Sequence, residues 1–165
     1  MKLGAILLLA IVLNGCALTG PALRDVGIVE YGRFERKKSS ATSNDEQAPT
    51  KRGDVVADAR LIELTTEIPA VLGTSFGLRV KFIGEPIGAT ISCTAKCIHP
   101  KITDPASGRT TETEQWRNTG TIGSDGYIGY SFDNPSELVP GDWTIQIFTG
   151  SKLRAQKTFT VKPAS

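Results

Sequence analysis

Apolar and polar residues alternate in short runs along this chain, and each run is bounded by turn-forming residues. In residues 74–83 the apolar side chains Phe76, Leu78, Val80 and Phe82 fall on one face. Alternation with a period of two is typical of a strand with one buried face. The same pattern predicts strands at 25–35, 55–66, 74–83, 89–98, 127–132, 142–149 and 153–161. Residues 111–122 are ambiguous, with one further strand around Trp116 as the alternative to a loop.

Turn signals separate these runs. Ile68-Pro69 and Gly73 are expected to end the second strand and turn the chain, and Gly150-Ser151 forms a two-residue hairpin turn. The segment from His99 to Thr110 is rich in proline and glycine and is predicted to be an excursion from the sheet. No segment has a helical period. Seven or eight short strands in one domain predict an all-β, immunoglobulin-like antiparallel β-sandwich, with a small β-barrel as the alternative.

One long segment carries no large apolar residue. Residues 36–53 are polar and charged, so they cannot bury enough surface to offset the entropy of ordering them. We predict a flexible loop there. It lies within a single domain at residues 25–162, because the one strand that precedes it cannot be a domain alone.

The N-terminus is typical of an export signal. Lys2 is followed by an apolar run from Leu3 to Leu13, which is shorter than the roughly 20 residues that a spanning helix needs. Leu13-Asn14-Gly15-Cys16 resembles the lipobox of bacterial lipoproteins. The resemblance implies a signal peptide at 1–15, lipidation of Cys16, and a tether at 16–24. Ordinary secretion with a free Cys16 is the alternative.

This interpretation fixes the expected location. A lipidated Cys16 would anchor the chain to a membrane, outside the cytoplasm. Ala17 follows the cysteine, and by the enterobacterial sorting rule this favours the outer membrane, facing the periplasm, if the organism is Gram-negative. The whole chain has 19 basic and 17 acidic residues, so the part after residue 15 is close to neutral. No basic patch predicts nucleic-acid binding.

Several segments together resemble one bacterial family, the domain of unknown function 3859 family. The most specific are Gly73-Thr74-Ser75-Phe76-Gly77 and Glu137-Leu138-Val139-Pro140-Gly141-Asp142-Trp143-Thr144. The resemblance covers most of residues 25–162. It implies an exported or anchored protein with an immunoglobulin-like sandwich, and it brings no catalytic residue. Six positions in these segments are expected to be structural: Gly73, Phe76, Gly77, Pro140, Gly141 and Trp143.

Candidate chemistry is sparse. His99 is the one histidine, so any catalytic triad would have to use it. A hydrolase site near residues 99–112 would combine His99 with carboxylates, whereas the simpler interpretation places His99 at the rim of the fold. The loop carboxylates are expected to serve turns, and no spacing singles out a catalytic pair. These carboxylates are Asp104, Glu112, Glu114, Asp133, Glu137 and Asp142.

Cys93, Cys97 and His99 allow three interpretations. They could form a metal or thiol module, although the spacing of the two cysteines is a weak zinc signal. Cys93 and Cys97 could form a disulfide, which an oxidising compartment permits. On a regular strand, however, residues four apart are separated by about 13 Å, beyond the roughly 7 Å that a disulfide allows. Buried free thiols are the third interpretation.

The predicted function is therefore that of a non-enzymatic, lipid-anchored binding or adaptor domain without a cofactor. Its partners would be the membrane, through the anchor, and an envelope protein or glycan. Trp116, Tyr127, Tyr130 and Trp143 could line a binding groove, but Trp143 is expected in the core.

The anchor can be tested directly. Cys16→Ser removes the sulfur that would carry the acyl chains, so the variant should incorporate no labelled fatty acid and should leave the membrane fraction. Incorporation of label into the variant, or a soluble wild-type protein after cell breakage, would contradict the lipoprotein interpretation.

Overall fold

The computed structural model describes residues 20–36 and 59–164. The predicted signal peptide, Cys16, residues 37–53 of the predicted loop and residues 55–58 of the second predicted strand lie outside these ranges. Within them, no helix is long and apolar enough to cross a membrane.

Nine strands lie in the described part of the chain, one more than the upper number predicted. Proline at position 135 starts a single 3₁₀ turn, Pro135–Glu137. The strands are β1 (Ala22–Arg36), β2 (Ala59–Glu63), β3 (Glu67–Pro69), β4 (Ser75–Glu85), β5 (Thr90–Thr103), β6 (Thr110–Thr121), β7 (Asp125–Ser131), β8 (Gly141–Thr149) and β9 (Lys152–Lys162).

The strands form two separate sheets. One sheet has the order β2-β1-β4-β7, and the other has the order β3-β9-β8-β5-β6. Two sheets packed face to face are a sandwich, so the barrel alternative is wrong. All neighbouring strands are antiparallel except β3 and β9, which run parallel.

The core lies between the sheets and is rich in aromatic rings. Phe76 of β4 is fully buried, and its ring centroid lies 6.0 Å from Trp143 of β8 and 5.2 Å from Phe159 of β9. Phe132, just beyond β7, lies 5.4 Å from Phe76. The alternating residues of 74–83 and 142–149 therefore meet across the core, as their pattern predicts.

The second predicted strand is divided. In the described residues it is the short β2 at 59–63, and Ile68-Pro69, expected to end a strand, lies in β3. β3 pairs with the C-terminal end of β9 and is the outermost strand of its sheet. A proline is tolerated there because an edge strand has one side on which no N–H is needed.

β1 begins at Ala22, three residues before its predicted start, and contains a bulge that changes which side chains face the core. The register with β4 shifts between Leu23 and Asp25 and again between Ile28 and Glu30. Beyond the second shift, Phe34 pairs with Ser75, next to the core residue Phe76. Phe34 therefore packs on the outer face, where its ring lies 4.7 Å from that of Tyr127.

β5 is longer than predicted. It continues through His99-Pro100 to Thr103, so the predicted excursion is reduced to residues 104–109 between β5 and β6. The register with β6 shifts between Ile98 and Ile102, and this bulge accommodates a proline that cannot donate to the ladder. The ambiguous segment around Trp116 is the strand β6.

Two glycines in the Gly73–Gly77 segment are required by geometry. Gly73 has a φ of +82°, a left-handed conformation that favours glycine. Gly77 pairs with Gly129, and a Cβ atom on Gly77 would lie 2.4 Å from the carbonyl oxygen of Ile128. A side chain at Gly77 would therefore force β4 and β7 apart.

Trp143→Ala should destabilise the domain strongly. Trp143 is fully buried, and its Nε1 donates to the carbonyl oxygen of Val139 at 3.0 Å. Removing a buried aromatic ring costs about 3–5 kcal/mol, out of the roughly 5–15 kcal/mol that holds a domain folded. Urea unfolding would measure the loss. Leu72→Ala, at an exposed position, should change it little, and equal effects of the two variants would contradict this account.

Candidate functional site

A cleft of about 630 Å³ opens at one end of the sandwich. One wall is the hairpin end formed by residues 104–109, and the other is the segment from Asn134 to Glu137. The rest of the lining comes from Ile102, Thr111 and Glu114. This cleft overlaps residues 99–112, where the sequence predicts the alternative hydrolase site.

Asp104 builds the hairpin wall. Its carboxylate accepts hydrogen bonds from the backbone N–H of Ala106 at 2.8 Å and from Ser107 Oγ at 2.7 Å. The Ser107 hydroxyl, and then the Ala106 N–H, hold the pKa of Asp104 below its usual value. Asp104 therefore stabilises its own turn, as predicted. It is a poor general base, because its pKa is lowered and its oxygens already accept hydrogen bonds.

Glu137 builds the opposite wall and is almost fully buried. Its Oε2 accepts from the backbone N–H groups of Asp133 at 2.7 Å and Asn134 at 3.0 Å. The buried carboxylate thus satisfies donors at the start of the 3₁₀ turn. Glu137 had been predicted as an ordinary loop residue, although an Asn three residues before a Glu is a known capping signal.

His99 lies in the core, and its predicted place at the rim is wrong. It is 4% exposed, and its ring stacks on that of Trp143 with centroids 4.9 Å apart and an interplanar angle of 30°. Its Nδ1 lies 2.8 Å from the carbonyl oxygen of Pro100. His99 keeps the alternation of Ala95 and Cys97 because β5 continues past its predicted end, so its side chain faces the core. The bulge then makes Ile102 the next buried residue.

The structure does not bring His99 together with carboxylates in the cleft. The cleft is lined by Asp104, Glu114 and Glu137, but His99 is not among its lining residues. Glu112 and Asp133 are exposed elsewhere, and Asp142 accepts from Thr160 Oγ1 at 3.1 Å across the β8–β9 pair. The convergence that a triad or a His-assisted hydrolase needs is therefore not formed.

Cys93 and Cys97 both point into the core from β5. Each is buried and neither forms a disulfide, so the disulfide alternative does not occur in this structure. They pair with Asn118 and Glu114 in an unbroken part of the β5–β6 register, which keeps them four residues apart along a strand. Among the described residues, no three metal-ligating side chains are grouped for a metal ion.

The Pro140-Gly141-Asp142-Trp143 segment directs the chain into the core. Gly141 has a φ of +133°, and a Cβ atom there would lie 2.8 Å from Cγ of Pro100. The turn therefore packs directly against the β5 bulge. Trp143 then enters the core, and its indole N–H is satisfied by Val139 within the same segment.

The four aromatic residues proposed for a groove do not form one. Trp116, Tyr130 and Trp143 are buried between the sheets. Tyr127 lies on the outer face, and its hydroxyl donates to the carbonyl oxygen of Phe76 at 3.1 Å, so its ring covers Gly129. Burial raises the pKa of Tyr127 above its ordinary value. These rings stabilise the fold.

The described part of the chain is an immunoglobulin-like β-sandwich. A solved structure of an immunoglobulin-like protein from Pseudomonas aeruginosa is similar, with a TM-score of 0.60 and 28% identity over 86% of this chain and 99% of that one. The model of the domain of unknown function (DUF3859) family matches residues 23–161, and the chain belongs to this family. A search of curated proteins found no match.

The two cysteines should react slowly in the folded protein. Burial raises the pKa of the Cys93 thiol to about 11, so it stays protonated, and unreactive as a nucleophile, at pH 8. In the Cys16→Ser chain, a thiol reagent should detect few thiols before unfolding and two after it. Fast reaction of the folded chain would support the thiol-module alternative, and no thiols after unfolding without reductant would indicate a disulfide.

The same pKa sets the direction of a pH effect. Because the pKa of Cys93 is raised in the folded state, the folded chain keeps this proton at higher pH than the unfolded chain does. This contribution to stability is complete below the unfolded value near 9 and is lost as the pH rises towards 11. Cys93→Ala should reduce that part of the alkaline destabilisation.

Proposed function

We propose that this protein is a non-enzymatic binding domain, anchored to a membrane through Cys16, that uses the cleft between residues 104–109 and 134–137 to bind an envelope protein or glycan. The family and the fold are compatible with a binding module. The specific proposal depends on one observation, the position of the cleft relative to the start of β1.

The cleft lies at one end of the sandwich, and β1 begins at the opposite end. Ala22, at the start of β1, pairs with Glu85 at the end of β4. At the other end of β4, Ser75 pairs with Ser131, which is followed by the 3₁₀ turn that forms one wall of the cleft. A chain held at Cys16 would therefore present the cleft away from the membrane surface.

The rim of the cleft carries groups that suit a polar partner. Arg109 and Ser107 are exposed on the hairpin wall, and Ser136 is half-buried on the opposite wall. Asp104 and Glu137 hold the two walls in place through hydrogen bonds within each turn. A preformed recess with charged and hydroxyl groups at its rim can bind a peptide loop or a sugar with little loss of conformational freedom.

The proposed anchor would place the protein in the outer membrane, facing the periplasm, if the organism is Gram-negative. Ala17 after the lipid-bearing cysteine supports this location by the sorting rule already described. The hydrogen bonds that occupy Asp104 and Glu137 within their own turns support binding over hydrolysis.

Matched charge reversals test the cleft. The Cys16→Ser chain, immobilised, would be exposed to envelope extract, and retained components would be identified by mass spectrometry. Arg109→Glu should lose a component that the parent chain retains, because reversing a charge at a rim weakens electrostatic complementarity. Lys81→Glu changes an equally exposed cation on β4, outside the cleft, and should keep it.

A partner lost equally in both variants, or in neither, would contradict binding at this cleft. Ser136→Trp provides a second check, since a bulky ring on the opposite wall should block the same component by filling the recess. Circular dichroism of each variant would confirm that the fold is retained.

A further inference from the structure

The end of the sandwich opposite the cleft carries a compact set of turns. The turn after β4 is tied to the turn after β6, because Gly88 N–H donates to the carbonyl oxygen of Ile122 at 2.9 Å and Ile122 N–H donates to Ala89 at 2.9 Å. The β8–β9 hairpin turn lies at the same end of the sandwich. Arg154 Nη1 from β9 donates to the carbonyl oxygen of Arg24 at 3.0 Å. We call these turns, together with the start of β1, the proximal end.

An isoleucine protrudes from the proximal end. Ile87 is 75% exposed, more than any other large hydrophobic residue in the described ranges. It is held in place, because a Cβ atom on Gly123 would lie 3.0 Å from Cδ1 of Ile87. Ile83 and Leu153, also exposed, lie within a few residues of the same turns. The fold thus fixes an apolar tip here where a polar turn would cost less in water.

Cations accompany this tip. Lys152 is exposed at the start of β9, and Arg24 at the start of β1 forms an ion pair with Glu85 at 2.8 Å. Arg154 bridges β9 and β1. An apolar tip flanked by lysine and arginine is the combination that favours the interface of a bilayer, where apolar groups enter the acyl boundary and cations meet phosphate groups.

The short stretch of chain before β1 also favours a bilayer as the partner of the proximal end. Ala22, where β1 begins, is only six positions after Cys16 in the chain. Even fully extended, six residues span only about 20 Å. A lipid on Cys16 would therefore keep the start of β1, and with it the proximal end, within about 20 Å of the membrane.

We infer that the proximal end is a membrane-contact surface, in which Ile87 enters the interfacial region of the bilayer to which Cys16 is anchored. This inference rests on the proposed anchoring. It adds a second contact between the protein and the lipid, and this contact orients the sandwich with its cleft facing away from the bilayer.

Nitroxide labels at two positions test the inference. Ile87→Cys and Leu72→Cys would be made in the full acylated chain, labelled, and placed in vesicles of phosphatidylethanolamine and phosphatidylglycerol. Leu72, 49% exposed, precedes β4 at the opposite end and is the matched control. The parent chain, with Cys93 and Cys97 buried, provides the labelling blank.

The label at 87 should collide several-fold more with membrane-soluble oxygen, relative to a water-soluble nickel complex, than the label at 72. Equal accessibility of both labels to the nickel complex, in a chain that mass spectrometry shows to be acylated, would overturn the membrane contact and leave the anchor intact. An unacylated Cys16 would overturn the anchor and the membrane contact together.

Discussion

The contact between Phe76 and Trp143 is the interaction on which the rest of this structure depends. The two rings come from different sheets, and each touches further aromatic rings, so they join the faces of the sandwich into one core. Trp143 also positions His99 by stacking on it. The aromatic core thus fixes the β5 bulge and the Pro140-Gly141 turn that packs against it, and with them one end of the sandwich.

The segments that mark the family have structural tasks in this chain. In the first, Gly73 permits a left-handed turn and Gly77 permits β4 and β7 to approach. In the second, Glu137 caps the 3₁₀ turn, Val139 accepts from the indole, and Trp143 fills the core. Membership of the family therefore specifies a fold, and under the proposed function recognition would depend on the less characteristic residues around the cleft.

Alternation predicted most of this fold, because β4 and the greater part of β8 and β9 keep a period of two. It could not predict events that break the period. The bulge in β1 moves Phe34 to the outer face, and the bulge around Pro100 places Ile102, and not Lys101, in the core. A bulge depends on the partner strand, which local sequence does not contain. The cleft could not be predicted either, because two turns that are distant in sequence form its walls. The role of Asp104 in its turn was predicted, whereas the burial of Glu137 was not.

The short parallel strand β3 has a consequence for how the chain reaches this fold. Glu67–Pro69 pairs with Thr160–Lys162, more than 90 residues later. A chain that emerges from a ribosome or a secretion channel in order, N-terminus first, therefore carries β3 unpaired until almost the last residue has emerged. Contacts so distant in sequence form slowly. During that interval β3 lacks its partner strand β9, and its unpaired N–H and C=O groups are open to pairing with other chains.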